Sequence, residues 1–193
     1  MPNHEDPKNE TLNESKNEPQ KEPEEVLLHC RIFDIIKKYQ IGRSGKKHER
    51  FVVRHPGGVA ILPVLSDDEV VLIRQYRSAI DRFVYELPAG TREPGEEIQR
   101  TAERELIEET GFRAERWTFL TSFWSSPGIL SEKIYIYRAD GLTVGKSALE
   151  DGEILKPCIL RRDEITRLIQ SGEIADGKTL VGLLAWLGGV LPG

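Results

Sequence analysis

The sequence is poor in cysteine, has no basic stripe and contains no long apolar run, and each lack excludes a class of protein. Its two cysteines, Cys30 and Cys158, lie far apart without His or Cys at metal-ligand spacing. We therefore expect buried, reduced thiols and no disulfide framework. The formal net charge of −5, without clustered basic residues, argues against a nucleic-acid partner bound through phosphate contacts. The apolar runs are too short for a bilayer and the N-terminus lacks a signal-peptide pattern, so we expect a cytoplasmic protein with no membrane partner.

The first 25 residues contain almost no large apolar side chains. Only Met1 and Leu12 qualify, and most of the other residues are Glu, Asn, Lys and Pro. Such a segment cannot bury enough apolar surface to offset the entropy of ordering. We expect residues 1–25 to be a disordered polar tail, and the folded part to begin at Val26.

Beyond the tail, hydrophobic patterning predicts alternating strands and helices. Two strands around a glycine-containing turn would form an N-terminal β-hairpin over residues 26–55, followed by an α/β domain over residues 56–193. Residues 59–65 form a continuous apolar run, which is typical of a strand buried on both faces. The predicted strands are 26–39, 49–54, 59–65, 70–77, 83–90, 117–123, 133–138 and 158–160, and the predicted helices are 96–110, 162–171 and 178–187.

The helix predicted over residues 96–110 carries an unusual acidic edge. At about 100° per residue, Glu105, Glu108 and Glu109 fall beside the apolar face formed by Ala102 and Leu106. Carboxylates at these spacings repel one another, whereas a hard cation such as Mg²⁺ would hold them together. The helix alone leaves two interpretations open: a metal site, or a solvated acidic face balanced by neighbouring arginines.

The residues around this helix resemble the Nudix box, written G-x5-E-x7-R-E-U-x-E-E-x-G-U, where U is a bulky apolar residue. The matching positions are Gly90, Glu96, Arg104, Glu105, Leu106, Glu108, Glu109, Gly111 and Phe112. Phe112 is a mild variant at the last apolar site. The resemblance implies an α/β fold, the Nudix α/β/α sandwich with a mixed sheet, extended here by the N-terminal hairpin.

The same resemblance implies roles for individual residues. Mg²⁺, for which Mn²⁺ can substitute, would be held by Glu105, Glu108, Glu109 and the main-chain carbonyl of Ala89. Arg104 and Glu96 would form an ion pair that orients the helix, so that Arg104 and Glu108 count among the catalytic residues. Gly90, Glu96 and Gly111 would be structural.

The flanking segments resemble those of ADP-ribose pyrophosphatases from about Val26 to Leu187. Pro127 follows Gly111 at the spacing that marks this subgroup. The resembling segments are 55–60, 74–77, 86–90, 126–128 and 172–179. The implied reaction is hydrolysis of the pyrophosphate bond of a nucleoside diphosphate derivative, giving AMP and ribose 5-phosphate from ADP-ribose. The alternative substrate is GDP-mannose or another nucleotide sugar. A non-catalytic ligand sensor or a nucleotide-pool sanitiser fits less well, because the box glutamates are complete and the flanks are of the ADP-ribose type.

Further candidates lie outside the box. Arg77, and with it Arg74, can clamp phosphate oxygens, and Pro127 belongs to the expected substrate site. The resemblance also implies a water-activating base in a loop after the last strands, and in the acidic loop at residues 150–153 Glu153 is the preferred candidate and Glu150 the next choice. An isolated hairpin needs a surface to cover, so residues 26–55 predict a homodimer. The resemblance to ADP-ribose pyrophosphatases implies in addition that Phe51 and Arg54 contribute to substrate binding across the subunits.

Overall fold

The computed structural model describes residues 24–145 and 154–189. The predicted tail lies almost entirely outside these residues, as do both candidate bases, Glu150 and Glu153. The described strands are β1 (Glu25–His29), β2 (Asp34–Ile41), β3 (Lys47–Arg54), β4 (Gly58–Ser66), β5 (Glu69–Arg77), β6 (Arg82–Glu86), β7 (Ala89–Thr91), β8 (Phe112–Arg113), β9 (Arg116–Trp124), β10 (Lys133–Asp140), β11 (Thr143–Val144) and β12 (Leu155–Arg161). The described helices are α1 (Ile98–Thr110), α2 (Arg162–Gln170) and α3 (Gly177–Gly188).

A seven-stranded mixed sheet forms the centre of the molecule. Its main path runs β12-β5-β4-β10-β9, with β6 on β5 and β7 on β4. The pair β4 and β10 is parallel, with Gly58 opposite Ile134, and the other pairs are antiparallel. The predicted mixed α/β architecture is therefore confirmed.

Helices cover both faces of this sheet, because β4 is apolar on both sides. Val59 and Ile61 pack with Ala102 and Leu106 of α1. The alternate β4 positions join the larger core with buried residues of α2 and α3. Strand side chains alternate between faces, so a continuous apolar run can serve both layers. The expectation that residues 59–65 are buried on both faces is nearly fulfilled, with only Leu65 part-exposed.

The N-terminal hairpin prediction was wrong in strand count. Residues 26–39 do not form one strand, because the chain turns between β1 and β2, where the Cys30 N–H donates to the Phe33 carbonyl at 2.9 Å. The result is a three-stranded antiparallel sheet, β1-β2-β3. Cys30 lies in this turn and is exposed, contrary to the expected buried thiol. Cys158 is half-buried, and burial raises the pKa of its thiol to about 11.

The three-stranded sheet is attached to the main domain at the end of β3. The Val53 N–H donates to the Ile129 carbonyl at 2.8 Å, and the Ser131 N–H donates to the Val53 carbonyl at 3.0 Å. The His55 N–H donates to Ser131 Oγ at 3.0 Å. These contacts join the end of β3 to the loop between β9 and β10.

Most other boundaries differ from the sequence-based ones by one to three residues, and two of the differences have a clear structural reason. The strand expected over residues 83–90 is split into β6 and β7, since Pro88 has no N–H to donate to a sheet ladder. Helix α1 begins at Ile98 and not at residue 96, because Glu97 is extended. At its other end Gly111 adopts φ 74° and donates to the Ile107 carbonyl, a left-handed cap that favours glycine.

No helix among the described residues is both long and apolar enough to cross a membrane.

Candidate active site

Helix α1 holds its acidic edge against β7. Ala102 and Leu106 are fully buried on the sheet, and this packing also buries Glu105 and Glu109, which are 8% and 2% exposed. Glu109 Oε2 accepts the Ala89 N–H at 2.8 Å. A Cβ at Gly90 would overlap the carboxylate of Glu105, so glycine at this position is what lets the carboxylate lie against the strand.

Arg104 connects the glutamates of the helix with the loop before it. Its Nη1 donates to Glu105 at 2.6 Å and to Glu108 at 3.1 Å. Its Nε and Nη2 each donate to Glu96 at 3.1 Å. Hydrogen bonds from Arg104 are the main reason that the pKa of Glu96 falls from 4.5 to about 2, and the same contacts raise the pKa of Arg104. Glu96 therefore stays ionised and orients Arg104.

A cavity of about 780 Å³ opens in front of these carboxylates. No three acidic, histidine or cysteine side chains within residues 24–145 and 154–189 are already arranged as a metal cage, and Arg104 Nη1 lies between Glu105 and Glu108. The chemistry of the walls nevertheless fits a hard cation, which prefers carboxylate and carbonyl oxygens. The walls include Gln75, Ala89, Glu105, Glu108 and Glu109.

Gln75 adds independent support for a polar ligand in this cavity. Its side chain is buried, and its Oε1 is an unpartnered buried acceptor among the described residues. A buried acceptor without a partner costs about 1–3 kcal/mol, so the hydrogen bonding of this side chain in the cavity wall is incomplete among the described residues. The residues present therefore fit a hydrated divalent cation.

A second cavity, of about 860 Å³, adjoins the first. Both are lined by His55, Arg77, Ala89 and Gly90, so they share a wall. Apolar side chains line much of the second cavity, among them Phe33, Ile80, Val84, Phe123 and Ile134. A ligand with an anionic centre and an apolar or ring-shaped end can occupy both cavities together.

Arg77 stands at the junction of the two cavities. Its Nε and Nη2 each donate to Glu86 at 2.6 Å, so the bidentate edge expected to clamp phosphate is occupied by a protein carboxylate. Nη1 of Arg77 makes no hydrogen bond among the described residues, so this nitrogen is available to a ligand. Lys178 contacts the same carboxylate, which is almost fully buried. The sequence analysis placed Glu86 and Lys178 within the resembling segments but assigned neither of them a role in the site.

The structure brings some of the other expected substrate residues to the cavities and leaves others away from them. Arg54 lines the first cavity and pairs with Asp34 at 2.9 Å. Arg74 is exposed, and its guanidinium lies 4.9 Å from the centre of the Phe83 ring. Arg74 and Arg77 are three residues apart on β5, so their side chains point to opposite faces of the sheet. The exposed residues Phe51 and Pro127 line neither cavity.

The chain is similar to known proteins in sequence and in fold. A family model described as the NUDIX domain matches residues 54–180. The ADP-ribose pyrophosphatase of Bacillus subtilis (strain 168) is 37% identical over 138 residues, which cover 70% of this chain and 75% of that protein. The methanol dehydrogenase activator of Bacillus methanolicus is 37% identical over 142 residues, covering 72% and 77%. A crystal structure of an ADP compounds hydrolase superposes with a TM-score of 0.76 at 23% identity, over 90% of this chain and 96% of that one, which supports the fold.

Proposed function

The chain belongs to the Nudix family and is a Nudix hydrolase, and from that premise we propose that it cleaves ADP-ribose to AMP and ribose 5-phosphate. The observation that carries the proposal is the pair of joined cavities. One is lined by the three box glutamates and the other is largely apolar, with Arg77 between them. The similarity to an ADP-ribose pyrophosphatase supports the same substrate.

We propose Mg²⁺, with Mn²⁺ as a substitute, as the cofactor. Glu105, Glu108, Glu109 and the carbonyl of Ala89 would hold it. When bound, such a cation neutralises diphosphate charge and lowers the pKa of water. Arg104 fixes the spacing of the carboxylates through its contacts with Glu105 and Glu108.

The remaining chemistry falls to residues around the diphosphate. Arg77 Nη1 would donate to a phosphate oxygen from the junction of the cavities. Water would add to one phosphorus while the bond from that phosphorus to the bridging oxygen breaks. The water proton would pass to Glu153, our preferred base, or to Glu150; both lie outside the described residues. The variants E153Q and E150Q identify the base, which is the one whose loss lowers kcat with little change in KM.

The test of the substrate is a panel assayed with Mg²⁺, in which phosphate is released from the products by a phosphatase. ADP-ribose should have the highest kcat/KM, and omission of the cation should abolish turnover. If GDP-mannose or another nucleotide sugar is turned over faster under matched conditions, that compound is the preferred substrate in place of ADP-ribose. The proposed reaction class would be unchanged.

We also propose a homodimer formed through the three-stranded sheet. This sheet exposes large apolar side chains that include Val26, Leu27, Leu28, Ile41 and Phe51. Pairing with a second copy would bury them in a two-fold contact, and Arg54 on the same sheet already lines the first cavity. Light scattering at micromolar concentration should give twice the monomer mass of 21.9 kDa. A fully active monomer would contradict the proposal.

The exposed thiol of Cys30 suits a reducing compartment, which we propose to be the cytoplasm.

A further inference from the structure

Four charged side chains form a balanced cluster in the wall of the second cavity. Arg77 donates twice to Glu86, and Lys178 also contacts Glu86 Oε2. Lys178 Nζ also lies 3.1 Å from Asp176 Oδ2. All four residues line the cavity. The chain of contacts therefore runs from the start of α3, through the end of β6, to the end of β5.

The carboxylate of Glu86 depends on both cations. Its side chain is 2% exposed and that of Lys178 is 11% exposed. Burial opposes ionisation of Glu86, but the contacts with Arg77 and Lys178 outweigh it and hold its pKa below the usual value. Hydrogen bonding to Glu86 in turn raises the pKa of Arg77. A lost lysine would leave a single, half-exposed arginine to neutralise a buried carboxylate.

The start of α3 is fixed beside this cluster. Asp176 caps the helix by accepting the Thr179 N–H at 3.0 Å and the Thr179 hydroxyl at 2.6 Å. The Thr179 hydroxyl oxygen accepts the Leu87 N–H at 2.9 Å, directly after Glu86 in the chain. Lys178 is thus presented to Glu86 by a capped helix end bonded to the same strand.

We propose that Lys178 is a positioning residue that acts through Glu86 to hold Arg77 against the substrate diphosphate. The proposal rests on the proposed function, because it requires Arg77 to contact phosphate. Glu86 accepts from the Nε–Nη2 edge of Arg77 and leaves Nη1 without a hydrogen bond among the described residues, on a side chain that lines both cavities. Lys178 fixes the carboxylate that accepts these hydrogen bonds, and it does not itself touch the substrate.

A double-mutant cycle between Lys178 and Arg77 tests the proposal. In the wild-type background K178M should lower kcat/KM by about 10-fold, mainly through a higher KM, which corresponds to about 1.4 kcal/mol. In the R77A background the same change should lower kcat/KM by less than about 2-fold, because the residue through which the lysine acts is gone. K178R should keep most of the activity, and K156M, an exposed lysine on β12, is the matched control.

Binding measured without turnover separates positioning from a role in folding. Calorimetric affinity for a methylene-bridged, non-hydrolysable ADP-ribose analogue should fall with K178M by the same factor as kcat/KM. If K178M does not fold, K178Q replaces it in the cycle. A loss that persists in full in R77A would show that Lys178 contacts substrate directly, and unchanged affinity would reduce its role to stability; either result overturns the proposal.

Failure of the proposed function gives a different pattern. If the wild type does not cleave ADP-ribose, the substrate panel identifies the compound that it does cleave, and the cycle is run with that compound. Coupling between Lys178 and Arg77 on the new substrate would support the positioning role, whereas its absence would overturn it.

Discussion

Two charged clusters border the same site and differ in their balance of charge. Among the described residues, Arg104 of the α1 cluster pairs with three carboxylates and a fourth, that of Glu109, lies on the same helix, whereas in the α3 cluster two cations pair with two carboxylates. The first comprises Arg104, Glu96, Glu105, Glu108 and Glu109, and the second comprises Arg77, Lys178, Glu86 and Asp176.

The difference in charge balance distinguishes the α1 cluster, which we propose to bind the cation, from the α3 cluster, which we propose to hold Arg77 in position. Partly buried like charges destabilise a fold unless a ligand of opposite charge is bound. We therefore expect the α1 cluster to be the one that binds a cation, while the ion pairs of the α3 cluster can keep Arg77 in place before the substrate arrives. On this proposal the imbalance of charge, more than the number of charges, distinguishes the ligand site.

The sharpest test of the imbalance is Glu109→Gln. Activity at saturating Mg²⁺ should fall on the order of 100-fold or more, because the cation loses a charged ligand. The fold should be intact, or slightly more stable without the cation, since repulsion on the helix is relieved and the glutamine oxygen can still accept the Ala89 N–H. Glu103→Gln on the same helix lies outside both cavities and is the control. Near-normal turnover of the Glu109 variant would show that this residue does not hold the cation.

Gly90→Ala tests the geometry of the same cluster without changing its charge. The added methyl group should displace the flexible end of Glu105 and lower kcat/KM on the order of 10-fold. The melting temperature should change little, because Gly90 does not require a left-handed backbone. Gly128→Ala meets open space and should behave as wild type. Equal activity of both variants would remove Glu105 from the site.

Addition of Mg²⁺ should stabilise the wild-type protein through the α1 cluster alone. At ten times the dissociation constant the gain is about 1.4 kcal/mol, or roughly 3–5 °C in melting temperature for a chain of this size. The shift should vanish in the Glu109→Gln variant and persist in K178M. A shift that is lost equally in both would mean that the two clusters are not independent.

The smallest expected effect is the acid response of Glu96. Its pKa is lower in the folded state, so the stability it contributes is present above pH 4.5 and is lost as the pH falls toward about 2. Urea unfolding between pH 5 and pH 2.5 should show a shallower decline for Glu96→Gln than for the wild type. Parallel curves would show that the Arg104 pair contributes nothing to folding.

Sequence spacing predicted the α1 cluster because its members lie on one helix and the loop before it. The fixed positions from Gly90 to Gly111 have a set spacing, and the helical period then decides which carboxylates share a face. Alternation along β5 also contains the information that separates Arg74 from Arg77, although the sequence interpretation did not use it.

The α3 cluster could not be predicted in the same way. Glu86 and Lys178 are brought together only when α3 packs beside the end of β6, and no local pattern specifies that contact. The turn between β1 and β2 was missed for a related reason. Residues 30–33 contain neither glycine nor proline, so the usual signals of a chain reversal are absent.

The parallel pairing of β4 with β10 has a consequence for the order in which the molecule is built. These strands are joined by a connection that runs from Ser66 to Lys133 and includes all of α1. Closing so long a connection lowers chain entropy before the contacts between the strands stabilise the pair. Non-local pairings of this kind therefore form slowly. During synthesis the glutamates emerge well before β10, so the helix has no completed sheet to pack against. We therefore expect the site to be completed late in folding, because a chain released before β10 would contain the whole box yet lack Ala139, which belongs to the core beneath α1.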